Sequence, residues 1–360
     1  MRLLKKVKYK DRYKVESTMK AYNLRGVSDL QFENVDIPVP EDSETLVQIK
    51  AAGICGSDIP RIFVNGTYHF PTIPGHEFSG IDVKTKKRVG VFPLIPCRKC
   101  KPCRDGRYEM CRNYSYLGSR TDGGFAEYAA VPEWNMIELP DNVTFEQAAM
   151  LEPMAVAVHA MRSISPSCDD TVAVMGLGTI GMLLVMFLLD AGVTDIYVIG
   201  NKDFQRKTCK AMGIDEIRYI DAASEEQNSA VAEQIMNVTH GRGVGVFFEC
   251  VGKNETIETA LKVTAPGGRI QLVGNPASDI SFDRDTYWKI LRNQLTVKGS
   301  WNSSFTRDDD DDWHYVLNRL KEGKIYPEMF ISHRFGFNEL NKGLDIMRNK
   351  TEDYIKVMIE

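Results

Sequence analysis

Two patterns of apolar residues divide the chain. From residue 19 to about 160, short alternating runs such as 45–49 stand between Pro, Gly and Asp residues, which is typical of a β-rich domain. From 171 to 300, short apolar runs alternate with segments of helical period. These patterns predict strands at 172–175, 196–199, 246–249, 269–273 and 295–297, and helices near 181–190, 203–212, 225–238 and 254–264. The alternation predicts an α/β fold with a doubly wound parallel sheet.

The last sixty residues contain helical periods near 313–322 and 338–348 and a final apolar strand near 354–359. The acidic run at 308–312 is interpreted as a solvated loop or a helix N-terminus. A length of 360 residues is typical of about two domains.

Composition and charge exclude several classes of protein. Hydrophobic residues make up 43% and charged residues 26%, as in ordinary globular chains, and the net charge of −4 does not favour nucleic-acid binding. The uncharged stretch 171–189 approaches the length of a membrane span, but its glycines favour a strand, a turn and a buried helix. With no secretory signal, we predict a cytoplasmic protein with no membrane partner.

The first sixteen residues carry seven basic side chains. This segment is either a weak tether to a membrane or polyanion, or a solvated extension that includes a start codon upstream of Met19.

A glycine loop follows the first strand of the alternating region. Gly176, Gly178 and Gly181 match the dinucleotide-binding pattern G-x-G-x-x-G. The first glycine permits a tight turn, the second lets the backbone approach a pyrophosphate, and the third lets the helix pack on the strand. Thr179 and Ile180 begin that helix, whose N-terminus faces the phosphate charge. The loop predicts a dinucleotide site; the alternative is a glycine turn without a ligand.

The expected ribose-binding acid is missing. An Asp or Glu about 20 residues after the loop favours NAD, because its carboxylate binds the ribose hydroxyls. Here Gly200 is followed by Asn201, Lys202 and Arg206. Cations without an acid accommodate a 2′-phosphate, so we predict NADP(H) in preference to NAD. Alternatively, Lys202 and Arg206 are simply the exposed first turn of a helix.

Four of the eight cysteines, Cys97, Cys100, Cys103 and Cys111, lie within fifteen residues. Four thiolates bind Zn²⁺ tetrahedrally and close it to water, so this cluster predicts a structural zinc site. An iron–sulfur cluster is the alternative, but the bacterial pattern places the fourth cysteine nearer and follows it with proline.

A second set of possible metal ligands is dispersed along the chain. Cys55, His76 with Glu77, and Glu152 offer a thiolate, an imidazole and carboxylates, which suit a catalytic zinc with one open position. The alternative is that Cys55 is a small buried hydrophobic residue and His76 an ordinary loop histidine.

These motifs occur in an order that resembles the zinc-dependent medium-chain dehydrogenases. They are CGSD at 55–58, GHE at 75–77, the four cysteines at 97–111, LEP at 151–153 and the glycine loop at 176–181. The resemblance covers roughly 19–360, and the segments 55–63, 118–128 and 289–301 are similar to the polyol dehydrogenase branch.

The resemblance implies a GroES-like, β-rich catalytic domain over 1–160 that contains the zinc lobe 97–111. It further implies a Rossmann cofactor domain over 161–297 and a return to the catalytic domain over 298–360. The segment between Gly80 and Val89 is shorter than in relatives, so a deleted loop is expected at the edge of the catalytic domain.

It also implies roles for individual residues. Cys55, His76 and Glu152 would hold the catalytic zinc, and Glu77 would lie behind them or exchange with one of them. Ser57 would pass the alcohol proton outward, and Asp58 would orient the His76 ring.

The implied reaction is hydride transfer between a nicotinamide and a secondary hydroxyl of a sugar alcohol or sugar-alcohol phosphate. Within the matching segments, Arg61, Arg120, Lys289 and Arg292 are candidates to bind a phosphate, although each is also an ordinary surface charge. Two alternatives stay open: the same chemistry on a butanediol or an amino alcohol, and a non-enzymatic zinc protein that binds nucleotide. The family analogy implies a homodimer or homotetramer.

Overall fold

The computed structural model describes residues 17–360, apart from the side chains of residues 225, 228 and 229. These residues form two compact units, one made of 17–152 with 304–360 and the other of 153–303. The boundaries between the two units lie at 152/153 and 303/304, whereas the sequence predicts them at 160/161 and 297/298. The basic segment 1–16, for which a tether and a solvated extension are both open, lies outside the described residues.

In chain order, the strands of the described residues are β1 (Thr18–Gly26), β2 (Asp29–Asp36), β3 (Glu44–Ile54), β4 (Glu77–Asp82), β5 (Arg88–Val91), β6 (Leu94–Ile95), β7 (Ser115–Tyr116), β8 (Tyr128–Pro132), β9 (Met136–Glu138), β10 (Val172–Met175), β11 (Ile196–Gly200), β12 (Tyr219–Asp221), β13 (Val244–Glu249), β14 (Thr264–Leu272), β15 (Thr296–Gly299), β16 (Ile331–Phe335) and β17 (Lys356–Ile359). The α-helices are α1 (Asp58–Pro60), α2 (Lys101–Arg104), α3 (Phe145–Ala149), α4 (Leu151–Ile164), α5 (Thr179–Asp190), α6 (Asp203–Ala211), α7 (Glu225–Val238), α8 (Asn254–Val263), α9 (Arg284–Arg292), α10 (Asp312–Lys321) and α11 (Leu340–Asn349).

Strand β3 is central to the first unit. The main sheet has the order β16-β17-β3-β4-β5-β9, and β8 also pairs with β3. Apolar side chains of β3, among them Leu46, Val47 and Ile54, are buried in the core of this unit. Because β3 and β4 are antiparallel and pair Gly53 with Glu77, the end of one strand lies beside the start of the other.

The C-terminal segment returns to the first unit through β17. This strand is antiparallel to β3, and Val357 pairs with Ile54. The return therefore brings residues near 356 to the same end of β3 that precedes Cys55.

The segment after Gly80, where a deleted loop is expected, forms part of a regular sheet. Strands β4 and β5 pair in register, with Gly80 opposite Val89, and a tight turn connects them. Asp82 organises this turn by accepting hydrogen bonds from the side chain of Thr45 and the backbone N–H of Lys84. Strands β4 and β5 therefore form a compact hairpin.

The second unit confirms the predicted parallel sheet. Its six strands have the order β12-β11-β10-β13-β14-β15, with parallel pairing throughout. The uncharged stretch 171–189 forms β10, a glycine turn and most of α5, and no helix in the described part of the chain is long and apolar enough to span a bilayer. Helix α9 was not predicted; Asp283 caps it by accepting from the Thr286 N–H.

Candidate functional site

The mixed cluster consists of Cys55, His76 and Glu77. Cys55 follows β3, and His76 immediately precedes β4, whose first residue is Glu77. One ligand atom from each of the three lies within 4.8 Å of the other two. A thiolate, an imidazole and a carboxylate at this separation fit the donor set of a catalytic zinc ion.

Asp58 lies behind the histidine. Its Oδ1 is 3.3 Å from His76 Nδ1, although the contact is not aligned as a hydrogen bond. Burial opposes protonation of His76, but the charges of Asp58 and Cys55 outweigh it and raise the pKa of His76 well above its usual value. Burial likewise opposes ionisation of Asp58, yet His76 and Arg61 lower its pKa below the ordinary value. The carboxylate is therefore placed to hold an N–H at Nδ1.

The residues around Asp58 have distinct roles. Arg61 Nη1 is 3.0 Å from Asp58 Oδ1, so its guanidinium supports the carboxylate behind His76. Arg61 is also a predicted candidate to bind a substrate phosphate, and in the structure its Nη1 is used by Asp58. Ser57 is exposed, and its hydroxyl donates to Cys55 Sγ at 3.3 Å.

Glu152 lies beside the mixed cluster but outside the 4.8 Å set. Tyr116 OH donates to its Oε1 at 3.2 Å, and the Tyr116 ring lies 5.8 Å from the His76 ring. Desolvation raises the pKa of Glu152 to about 7; His76 opposes this rise and Glu77 adds to it. The resemblance implied that Glu152 is a zinc ligand and that Glu77 lies behind the ligands or exchanges with one of them. In the structure, Glu77 is the carboxylate grouped with the Cys55 thiolate and the His76 imidazole.

Lys356, which sequence reasoning missed, binds the other side of Glu77. Its Nζ donates to Glu77 Oε2 and, at 3.0 Å, to the carbonyl oxygen of Ile54. Both paired side chains are only 2% exposed. A Cβ atom at Gly53 would collide with both side chains, so glycine makes room for the pair. The available signal was a lone charge in an otherwise apolar strand.

The four-cysteine cluster is a separate site. One atom from each of Cys97, Cys100, Cys103 and Cys111 lies within 4.8 Å of the others. Three sulfur–sulfur distances in this cluster are 3.4, 3.9 and 4.0 Å, close to the roughly 3.8 Å between thiolates around one tetrahedral zinc. Thiolates bound to different irons of a four-iron cluster would lie much farther apart.

Backbone N–H groups stabilise thiolate charge in this lobe. Those of Lys99 and Cys100 lower the pKa of Cys97 to about 6, whereas burial raises the pKa of Cys103 to about 12. The two thiols therefore differ in how readily they ionise without a metal, and a zinc ion would supply the charge that Cys103 needs.

The glycine loop lies between β10 and α5, as predicted. Gly176 has a φ of +97°, and a Cβ there would contact Val251 and Cys250. A Cβ at Gly181 would collide with the carbonyl of Gly176, so the helix packs closely on the turn. A Cβ at Gly178 would meet nothing within 4 Å, and no side chain caps the helix that begins at Thr179 and Ile180. This open, uncapped N-terminus fits a pyrophosphate.

The ribose end of the loop differs from the prediction in one respect. Arg206 binds Glu216 at 2.6 Å and Asp221 at 2.7 Å, so two carboxylates already neutralise its charge. A Cβ at Gly200 would collide with the hydroxyl of Tyr219, which leaves no space for an acid there.

Around Gly200, Asn201 is exposed, and the Lys202 carbonyl accepts from Tyr219 OH at 3.1 Å. Lys202 therefore remains the nearby predicted cation, with its ammonium 5.4 Å from the Phe204 ring centre.

The other predicted phosphate contacts do not form one group. Arg120 lies between the rings of Tyr68 and Tyr114, 4.2 and 4.5 Å from their centres. Lys289 and Arg292 are exposed residues of α9 in the second unit, and Arg292 stacks on Trp288.

Comparisons with known proteins identify the two units. The zinc-binding dehydrogenase family profile matches residues 179–322, and that of the alcohol dehydrogenase GroES-like domain matches 41–141. Galactitol 1-phosphate 5-dehydrogenase of Escherichia coli K12 is 32% identical over 88% of this chain and 93% of its own. The chain belongs to the zinc-binding alcohol dehydrogenase family.

Solved and curated relatives extend this result. A structure of E. coli galactitol-1-phosphate dehydrogenase has a TM-score of 0.85 at 32% identity, covering 95% of this chain and 99% of its own. A zinc-binding dehydrogenase from Sinorhizobium meliloti, bound to NADP, also has a TM-score of 0.85, at 28% identity and 96% and 99% coverage. L-Threonine 3-dehydrogenase of Pyrococcus abyssi is 30% identical over 87% of this chain and 90% of its own.

Membership in this family confirms the predicted fold class and the assignment as an oxidoreductase acting on CH–OH groups. It rules out the hypothesis of a non-enzymatic nucleotide-binding protein. The relatives act on different alcohols, so family membership leaves the substrate open.

Glu249 of this dehydrogenase was also missed by sequence reasoning. It is fully buried at the end of β13, and its Oε1 accepts from the N–H groups of Val251 and Gly252 and from the Thr256 hydroxyl. Its carbonyl oxygen accepts from the N–H groups of residues 273 and 274. One residue therefore holds both loops that follow β13 and β14, and the first of these contacts Gly176. A strand ending in an acid was the only signal in the sequence.

Proposed function

We propose that this protein oxidises, reversibly, a secondary hydroxyl of a sugar alcohol or sugar-alcohol phosphate with NADP⁺, as a galactitol-1-phosphate 5-dehydrogenase-like enzyme. The observation that carries the proposal is the mixed cluster, in which one ligand atom from each of Cys55, His76 and Glu77 lies within 4.8 Å of the other two. Such a donor set leaves room for a substrate oxygen, unlike the four-cysteine cluster, to which we assign the second, structural zinc.

The residues around the mixed cluster divide the work of the reaction. Bound zinc supplies Lewis-acid activation of the substrate hydroxyl, and bound nicotinamide accepts the hydride. Asp58 holds the His76 ring in place, supported by Arg61. Ser57 is exposed beside Cys55, so its hydroxyl is placed to relay the proton of the substrate toward water.

The preference for NADP(H) rests on what replaces the usual acid. Gly200 provides no carboxylate to repel a 2′-phosphate, and Asn201 and Lys202 follow it. Arg206 contributes less than its sequence position suggested, because Glu216 and Asp221 bind it. One solved relative at 28% identity is bound to NADP and another at 27% identity is bound to NADH, so the preference rests on the residues of this chain.

For a phosphorylated substrate, Arg120 is the best-placed candidate in the first unit. The Tyr114 ring that it stacks on is 6.2 Å from the Tyr116 ring, which adjoins His76. Its Nε atom is buried without a hydrogen-bond partner, so one donor of the guanidinium is not used. Lys289 and Arg292 remain candidates from the second unit.

Reduction of NADP⁺ and NAD⁺, followed at the nicotinamide absorbance band, tests the assignment. The substrates are galactitol 1-phosphate, galactitol, L-idonate, L-threonine and 2,3-butanediol. We expect the highest kcat/KM with the sugar-alcohol phosphate and NADP⁺. A tenfold preference for NAD⁺ would overturn the cofactor assignment, and a preference for threonine or butanediol would support the corresponding alternative.

Substitution of Arg120 tests the phosphate site. Arg120→Met should raise KM for the phosphorylated polyol more than for the free polyol. Arg25→Met is the matched control, because Arg25 is a surface residue paired with Glu33. Equal changes for both substrates would remove Arg120 from a phosphate-binding role.

We also propose that the enzyme is a homodimer or larger homo-oligomer in the cytoplasm. Strand β15 is an edge strand, and all four of its residues are exposed. Nearby Leu291 and Trp301 are 57% and 54% exposed, an apolar surface that a second copy would cover. Light scattering would test the assembly, and Val297→Lys should favour the monomer. All eight cysteines are unpaired, which suits a reducing compartment.

A further inference from the structure

Two carboxylates hold Arg206 at the ribose end of the second unit, beside the position where Gly200 replaces the usual acid. Its Nη1 is 2.6 Å from Glu216 Oε1, and its Nη2 is 2.7 Å from Asp221 Oδ2. The acids thereby use both terminal nitrogens of the guanidinium. One positive charge faces two negative charges, so this group of three side chains, the Arg206 cluster, has a negative net charge.

The fold fixes the Arg206 cluster beside Gly200. Strands β11 and β12 are parallel, and Gly200 pairs with Asp221, which ends β12. The guanidinium lies 4.4 Å from the centre of the Tyr219 ring, and the hydroxyl of this tyrosine would be 2.4 Å from a Cβ at Gly200. Dinucleotides bind at the carboxyl ends of the strands of an open parallel sheet. The cluster is therefore next to the expected position of a 2′-phosphate.

The two acids differ in how firmly they are held. Asp221 Oδ1 accepts from the Ala223 N–H at 2.9 Å, which fixes the carboxylate against its own loop. Glu216 begins a short 3₁₀ helix and is exposed. Arg206 and Asp221 are half-buried, and partly exposed ion pairs stabilise a protein only weakly. A phosphate group can therefore exchange with either carboxylate, although the charge of both acids opposes its approach.

Once released from the acids, Arg206 has the features of a phosphate ligand. Its guanidinium offers parallel N–H groups that match two phosphate oxygens, and stacking on the Tyr219 ring would keep its plane in place. Gly200 has no side chain that would repel the phosphate. The selectivity between NADP(H) and NAD(H) then depends on how strongly the acids occupy this guanidinium.

We propose that Asp221 and Glu216 are positioning residues that compete with the cofactor 2′-phosphate for Arg206 and so limit the selectivity for NADP(H). The proposal rests on the dinucleotide site and the cofactor preference proposed above. With both acids ionised, Arg206 contributes little to binding of the 2′-phosphate. When the acids are neutralised, the guanidinium turns to the phosphate and the selectivity rises.

Nucleotide fragments test this proposal without turnover. Adenosine 2′,5′-bisphosphate and 5′-AMP differ only in the 2′-phosphate, and calorimetric titration of the zinc-loaded enzyme gives the dissociation constant of each. Asp221→Asn keeps the shape of the side chain and its acceptor for the Ala223 N–H. The double variant Asp221→Asn/Glu216→Gln should bind the bisphosphate about tenfold more tightly than the wild type, while its affinity for 5′-AMP changes by less than about twofold.

Steady-state kinetics provide a second measurement. The gain of the double variant should appear in KM for NADP⁺ rather than in kcat, because the 2′-phosphate is remote from the reacting carbon and contributes binding alone. KM for NAD⁺ should not follow it. A general structural defect would instead change both cofactors together.

Two further variants identify the cause of the gain. Arg206→Met, added to the double variant, should abolish the gain, whereas a mere loss of negative charge would preserve it. Asp195→Asn is the matched control, because Asp195 pairs with Arg218 at the opposite end of β11 and its substitution removes the same charge. This control should leave both dissociation constants unchanged.

The outcomes separate this proposal from the proposed function. A double variant that binds the bisphosphate no more tightly than the wild type, or a gain that survives Arg206→Met, would overturn the role of the acids. If the wild type binds neither nucleotide, the dinucleotide site itself is wrong and both proposals fail. If the wild type prefers NAD⁺ but the double variant gains bisphosphate affinity through Arg206, only the proposed cofactor preference is wrong.

Discussion

Both metal-ligand clusters of the first unit contain thiolate sulfur, but we assign a structural role to one cluster and a catalytic role to the other. The cysteine cluster contains four sulfurs supplied by one short segment, and nearby backbone N–H groups stabilise the thiolate charge of Cys97. The mixed cluster has a single sulfur, and its other donors come from β4 and its vicinity. Asp58, Glu152 and Lys356 surround it with further charges.

This difference shows how a fold separates stability from reactivity. Four thiolate ligands leave a zinc ion no free position, so their effect is confined to the loop they hold. The mixed cluster has Glu77 as a member and Glu152 beside it, one carboxylate more than three protein ligands require. Such a site can exchange one carboxylate ligand for the other. The comparison predicts that a substitution in the mixed cluster will lower turnover, whereas a matched substitution in the four-cysteine cluster will lower stability.

The largest expected effect is on turnover. Cys55→Ser removes the only thiolate of the mixed cluster and should lower kcat by about 10³-fold, because zinc activation contributes several kcal/mol. The melting temperature should change little, and bound zinc should fall from two ions per chain to one. Retention of wild-type activity with two zinc ions would contradict the assignment of this cluster.

The next effect is on stability. Cys103→Ser breaks the closed cluster and should lower the free energy of unfolding by about 3–5 kcal/mol, which corresponds to roughly 6–20 °C in melting temperature. At low temperature the folded fraction should keep its kcat. Cys168→Ser is the control, since Cys168 is exposed and belongs to neither cluster. A normal melting curve for Cys103→Ser would refute a structural role.

A smaller effect concerns the support of the histidine. Asp58→Asn leaves Arg61 without its carboxylate and weakens the hold on His76, so zinc affinity of the mixed cluster should fall about 10–100-fold. Chelator competition would measure this, and the affinity of the four-cysteine cluster should be unchanged. A parallel loss at both clusters would indicate a general folding defect instead.

The smallest effect is a shift in pH dependence. Tyr116 donates to Glu152 and lowers its pKa, which desolvation raises to about 7. Zinc binds the ionised carboxylate, so affinity should rise as the pH increases through this pKa. In Tyr116→Phe the pKa rises further, and the affinity curve of the metal-free protein should move to higher pH. The accompanying loss should be only several-fold, consistent with one hydrogen bond of about 0.5–1.5 kcal/mol. An unmoved curve would argue against Glu152 as a ligand.

Sequence reasoning succeeded where the chemistry is local. The glycine loop and the four cysteines each occupy one short segment, and their spacing alone indicated how they fold. It was less successful where partners are distant. Arg206 was interpreted as an anion-binding residue because its carboxylate partners, 10 and 15 residues away, could not be identified before the fold was known. Lys356 was missed because only the pairing of β17 with β3 brings it to Glu77.

The long sequence separation of the buried pair also has a consequence during translation. Glu77 and Lys356 are 279 residues apart, and the whole second unit is encoded between them. At about 5–20 residues per second, a ribosome needs roughly 14–56 s to synthesise this interval. A nascent chain must therefore carry β3 and β4 through that time without the ammonium, and the buried carboxylate gains its partner only when the last strand has been synthesised.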